Sequence, residues 1–120
     1  MGTISKEILS GSLQGKPIQI TATGSTGTTI HTTLASSTII DEIWLYATNS
    51  SASDVELTIE YGATGSPYEI SADIPTKSGL SLILAGTILT GDGSTGSTIT
   101  SYAASPNSVN LIGYVNRITP

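Results

Sequence analysis

The chain has 120 residues, of which 11% are charged, with nine acidic and four basic side chains and a net charge of −5. Lys6, Lys16, Lys77 and Arg117 are too few and too scattered to neutralise a run of phosphates or to hold an anionic bilayer, so nucleic-acid and membrane partners are excluded. The absence of cysteine removes disulfides, thiolate metal sites and cysteine nucleophiles together.

In chain order, residues 1–15 stand apart. Ile4, Ile8, Leu9 and Leu13 are apolar, but Gly11 and Gly15 interrupt any long regular element. The segment reads as an N-terminal arm whose apolar residues must lie either along the edge of their own sheet or on a neighbour. It holds no apolar signal-peptide core, so a soluble protein made in the cytoplasm is expected. Residues 16–120 then read as one domain, near the common domain size.

Period-two alternation between turn clusters dominates that domain. Ile18, Ile20 and Ala22 alternate with polar residues, and the Thr-rich stretch Thr28 to Leu34 suits a strand near an edge. Ile39 to Asn49 is rich in β-branched and aromatic residues, and its second half is apolar on both faces. It predicts a central strand. Val55, Leu57, Ile59 and Tyr61 alternate with Glu56, Thr58 and Glu60, the pattern of a half-buried antiparallel strand. The connection Asn49 to Asp54 predicts a hairpin between these two. Tyr68 to Ile74, Leu80 to Leu84, Thr87 to Leu89 and Thr98 to Ala103 are further short strands. Val109 to Ile118 is apolar on both faces, as expected of a strand interior to a sheet or covered by a partner. About eight short strands with close turn signals predict an all-β, antiparallel β-sandwich of jelly-roll type. Helix signals are poor throughout.

Tests for chemistry come out negative. His31 is the only histidine and reads as structural or surface, since the surrounding Ser and Thr residues do not single out a nucleophile. Asp41 and Glu42 are adjacent, so on a strand they point to opposite faces. Glu56 and Glu60 share a face about 13 Å apart, beyond the spacing of about 5–9.5 Å that glycosidase carboxylates need. They read as a solvated strand face. Asp92 stands alone among Gly, Ser and Thr in Gly91 to Ser97 and reads as a hairpin turn, not a calcium loop. With six aromatics and no Phe, Trp44 and Tyr46 are expected in the core; exposed, they would make a sugar-stacking platform. Catalytic, cofactor-binding and metal-binding residues are therefore expected to be absent, and an enzyme is not expected.

Gly15-Lys16-Pro17-Ile18, Thr29-Ile30-His31-Thr32, Asp41 to Asn49, Val55 to Gly62 and Gly113 to Ile118 together resemble small virion structural proteins of tailed bacteriophages. The resemblance covers most of the chain beyond the arm. It implies a structural component of the particle, assembled in the host cytoplasm. The leading form is a capsid decoration (cement) protein that binds and stabilises the head shell. Its partner would be the major capsid protein or another virion protein, with itself as a homo-oligomer, a trimer favoured. The arm residues Ile4, Ile8, Leu9 and Leu13 are the expected partner contacts. The alternatives are a neck, tail or fibre-base protein, and a carbohydrate-binding module using Trp44 or Tyr46.

Overall fold

In a computed structural model that describes residues 2–120, the chain forms nine strands and no helix among the described residues. These are β1 (Thr3–Ile8), β2 (Ile18–Gln19), β3 (Thr28–Thr32), β4 (Ile40–Asn49), β5 (Val55–Tyr61), β6 (Glu69–Ile74), β7 (Ser81–Leu89), β8 (Thr98–Ala103) and β9 (Val109–Thr119). One sheet has the order β1-β9-β4-β7, with β2 also paired to β9, and the other has the order β3-β8-β5-β6. Every pairing is antiparallel. With β1 and β2 as two halves of one interrupted strand along β9, this is jelly-roll order, and only β5 and β6 are joined as a hairpin.

Alternation explains the layering. In β4 the odd positions Asp41 to Asn49 are buried and the even positions Ile40 to Thr48 are only half-buried. Ile43, Leu45 and Ala47 meet Leu111 and Val115 of β9 and Leu84 of β7 on one side of the core. Ile30, Leu57, Ile59, Ile74, Ile99 and Ala103 close it from the other sheet. The strand expected to be interior, Val109 to Ile118, is interior: β9 lies between β1 and β4.

Three expectations are corrected. The stretch after Asn49 does not make a hairpin, because β4 and β5 belong to different sheets. The buried Asn49 side chain explains the corner: its Nδ2 donates to the carbonyls of Ser53 (2.8 Å) and Ile74 (2.9 Å), and its Oδ1 accepts from the Ser51 amide. These bonds hold the connection as an arch that crosses from one sheet to the other. Leu80 to Leu84 and Thr87 to Leu89 are one strand, β7, whose register to β4 shifts twice. Gly86, at φ +79°, sits in that irregularity, where a left-handed backbone favours glycine.

The third correction concerns residues 1–15 and their separation from residues 16–120. Residues 3–8 are the edge strand of the five-stranded sheet, in register with β9 from Thr3↔Thr119 to Ile8↔Tyr114. Met1 lies outside the described residues. After β1 the chain crosses between the sheets: Leu9 enters the core and the Gly11 amide donates to Ile30 O of β3. Without β1, half of β9 would present an unpaired edge.

The β4–β9 contact leaves no room for a side chain at Gly113, where a Cβ would stand 2.1 Å from the Trp44 carbonyl oxygen; at Gly24 nothing lies within 4 Å. Gly113→Ala is expected to lower the unfolding free energy by more than about 2 kcal/mol, and Gly24→Ala to change it by less than about 0.5 kcal/mol. Urea unfolding of the two variants beside the parent chain checks this.

Candidate functional site

The two sheets turn very different outer faces to their surroundings. On the five-stranded sheet, cross-strand pairs set residues in rows: Ile4–Ile118–Ile40 from β1, β9 and β4, then Lys6–Asn116–Glu42–Ile88, then Ile8–Tyr114–Trp44–Ala85, then Ile112–Tyr46–Leu82. Directly opposed residues in an antiparallel pair share a face, so these side chains form one surface. Three of these rows are apolar, the second carries Lys6, Asn116 and Glu42 beside Ile88, and Ile4, Ile8, Leu82 and Ile88 are largely exposed on the face. Lys6 and Glu42 are its only ionic groups among the described residues.

The centre of this face is ordered by polar contacts. Trp44 Nε1 donates to Glu42 Oε1 at 2.8 Å, and Asn116 Nδ2 donates to the same oxygen at 3.0 Å. These two bonds hold the Glu42 carboxyl below its ordinary pKa. The rings of Trp44 and Tyr114 stack at 6.4 Å and 12°, and Lys6 Nζ lies 4.8 Å from the Tyr114 ring centroid. On its other side the indole reaches over Gly86, where a Cβ would be 3.1 Å from it. Trp44 and Tyr46 thus lie on the outer face, not in the core as expected. The fully buried core is Ile, Leu, Val and Ala, and the aromatic packed against it is Tyr61.

The four-stranded sheet is the opposite. Its outer positions are Thr29, Thr32, Thr58, Ser71, Thr98 and Thr100, with Glu56, Glu69, Asp73 and Tyr102, and no cation among them. Hydroxyls pair across strands, as in Thr32–Thr98 (3.2 Å) and Thr58–Ser71 (3.1 Å), and Tyr102 OH donates to Glu69 Oε2 at 3.0 Å. Glu60 corrects the expectation of a solvated Glu56/Glu60 face, being 0% exposed. The loop before β3 covers it: Oε1 accepts from the Gly27 amide (2.8 Å) and Thr100 Oγ1 (2.6 Å), and Oε2 accepts from Ser25 Oγ. Burial pushes this carboxyl up, but the hydrogen bonds outweigh it and hold it below the usual value. Asp92 makes a turn whose Oδ1 accepts from the Ser94 and Thr95 amides, yet the flanking β7 and β8 lie in different sheets and form no hairpin.

His31 is buried between the sheets. Its Nε2 and Asp41 Oδ2 are 2.7 Å apart, and Arg117 binds the same carboxylate through Nε (2.8 Å) and a second guanidinium nitrogen (3.0 Å). His31 Nδ1 accepts from the Ser10 amide at 3.0 Å, so Nε2 carries the proton and donates to Asp41. Ser10 Oγ is engaged by the Thr32 amide. Both ring nitrogens are occupied and no hydroxyl is aimed at the imidazole, so the group works as a clamp joining β3, β4, β9 and the segment after β1. Burial raises the Asp41 carboxyl, but the hydrogen bonds of Arg117 and His31 and the guanidinium charge overcome this and hold it below its ordinary value.

Of the four expected partner contacts, Ile4, Ile8 and Leu13 are 68%, 53% and 80% exposed, whereas Leu9 is 1% exposed and belongs to the core. Ile4 and Ile8 join the apolar face; Leu13 lies in the loop after β1. Sequence reading missed Ile112, Tyr114, Ile118, Leu82 and Ile88 as surface partners of Ile4 and Ile8. The available signal was that Ile40–Asn49 and Val109–Thr119 are both apolar on two faces. Among the described residues the surface has no pocket, and no cluster of three or more His, Asp or Glu is placed to hold a metal ion. No protein-family model matches the chain, and no curated protein or solved structure is detectably similar to it.

The two buried carboxyls among those held low, Asp41 and Glu60, set the acid behaviour. A group whose folded pKa lies below its unfolded value contributes stability above the unfolded value and loses it as pH falls through the folded one. The ordinary values are 3.8 for Asp41 and 4.5 for Glu60. Stability is therefore expected to hold from neutral pH down to about 5 and to fall steadily below it. Asp41→Asn should lower the neutral-pH unfolding free energy by about 3 kcal/mol and make the acid limb shallower, as read by urea titrations at a series of pH values.

Proposed function

We propose that this chain is a structural component of a tailed-phage virion, a capsid decoration (cement) protein that works by docking and not by chemistry. The observation that carries the reading is the apolar outer face of the five-stranded sheet, set back to back with a hydroxyl-rich, acidic outer face on the other. Monomeric proteins rarely leave a contiguous apolar surface of this kind to water, and such surfaces mark binding sites. The resemblance of the five sequence runs supplies the virion setting.

Docking of this kind stabilises a shell by linkage, since whatever binds only the assembled lattice shifts the equilibrium toward it. Many copies on one particle act together, so modest single contacts suffice. The face has few ions to desolvate, because its Glu42 is already held by Trp44 and Asn116. The Thr- and acid-rich face can then remain in water without recruiting further layers.

Quantitative mass spectrometry of purified particles of the encoding phage tests the reading. Hundreds of copies per particle are expected. A few to a few tens would move the chain to the neck, tail or fibre base, and none would remove it from the virion. The half-exposed Trp44 and Tyr114 rings favour one further reading, a glycan platform. Because Trp44 is the only tryptophan, quenching of its fluorescence by polysaccharide would support the platform, and an unchanged spectrum is expected under the docking reading.

A further inference from the structure

On the particle the docking reading gives the apolar face to the shell; away from the particle the same face needs another cover. We propose that it is a second copy of this chain, packed back to back about a two-fold axis that runs along β9. The inference rests on that reading and names the occupant.

Size is the first argument. The half-turn sets β1, β9 and β4 against their counterparts and leaves β7 outside the overlap; three strands at roughly 4.8 Å spacing and ten residues at roughly 3.4 Å each make a face of about 490 Å². Two copies bring about 1,000 Å² together, the size of a weak, reversible association.

Charge placement is the second, and it selects both partner and axis. Lys6 and Glu42 occupy the same row, on either side of Asn116. Two strand spacings separate them, about 10 Å, and neither has an ion-pair partner within the chain among the described residues. Rotation by half a turn about β9 exchanges the positions of β1 and β4. It places Lys6 of one copy opposite Glu42 of the other, and does so twice. Glu42 Oε1 is taken by Trp44 and Asn116, which leaves Oε2 for the incoming ammonium. Lys6 already lies folded down over Tyr114, on the face itself.

The same rotation matches the apolar rows. Ile4 comes to face Ile40, Ile8 faces Trp44, and Tyr114 meets its own counterpart. Self-complementarity of one patch is what an isologous two-fold contact requires, and aligned sheets pack in this way at about 10 Å separation. The pairing is two-fold, unlike the trimer that the family resemblance favours.

Sedimentation equilibrium of the purified chain over a wide concentration range tests the pairing. A reversible species of twice the 12.2 kDa chain mass is expected. Lys6→Glu and Glu42→Lys each set like charges opposite one another at two places and should weaken association at least about tenfold. The double variant restores opposite charges with the partners exchanged and should recover most of that loss. Ile8→Asp, on an exposed edge strand, should also weaken association while circular dichroism and melting show an intact fold. A monomer at all concentrations, a trimer, or a dimer indifferent to all these substitutions would overturn the proposal. Particle counting separates the two readings. A chain monomeric in solution but abundant on particles ends the pairing and keeps the virion assignment, whereas a dimer absent from particles does the reverse.

Discussion

A buried carboxylate on the core side of a sheet is unfavourable unless it is fully matched. Asp41 is matched by two cationic or proton-donating groups from different layers: His31 reaches it from the four-stranded sheet and Arg117 from the neighbouring strand β9. The imidazole in turn receives the Ser10 amide, so the chain leaving β1 is fastened to the same point. The separation of the sheets at this end, the position of the edge strand and the entry of Leu9 into the core all rest on that carboxylate remaining charged. Glu60 plays the matching part for the loop before β3, without any cation, by accepting three hydrogen bonds.

With the interior held in this way, the outer surfaces are free to differ. The same alternation that places Ile43 and Leu45 inward places Trp44 and Tyr46 outward. In an ordinary half-buried sheet the outward set would be polar, as it is on β5, β6 and β8. On β4, β9, β1 and β7 it is not. The fold alone does not require this, since the core is complete without those residues. The molecule is thus a sandwich with one outer face rich in hydroxyls and carboxylates and one rich in apolar side chains.

The strand pattern was legible because alternation is a local property, and Val55 to Tyr61 reads the same in sequence and in space. Which sheet a strand joins is not local. Asn49 to Asp54 looks like any turn, and only the side-chain bonds of Asn49 to Ser53 and Ile74 make it a corner between layers. The opposite orientation of Asp41 and Glu42 followed from their adjacency; the meeting of Asp41 with Arg117, 76 positions away, did not. Glu60 appeared solvated because its cover, Ser25 to Gly27, lies more than thirty positions earlier. The scarcity of aromatics points Trp44 inward, but it says nothing once aliphatic residues suffice to fill the buried core.

The position of β9 has a consequence for how the molecule comes into being. It is hydrogen-bonded to β1, β2 and β4, and the pair Thr3–Thr119 closes a loop of 116 positions. All three partners leave the ribosome before it does. Until β9 arrives, β4 has one edge unpaired and two apolar sides without cover, and β1 has no neighbour at all. Topologies so dominated by distant pairings fold in roughly milliseconds to seconds, slowly enough for nascent chains to meet one another through exposed strand edges. Yield at high expression should therefore be governed by the time spent waiting for this one strand, and lowering the rate of synthesis or supplying chaperones would act on that interval and leave the finished fold unchanged.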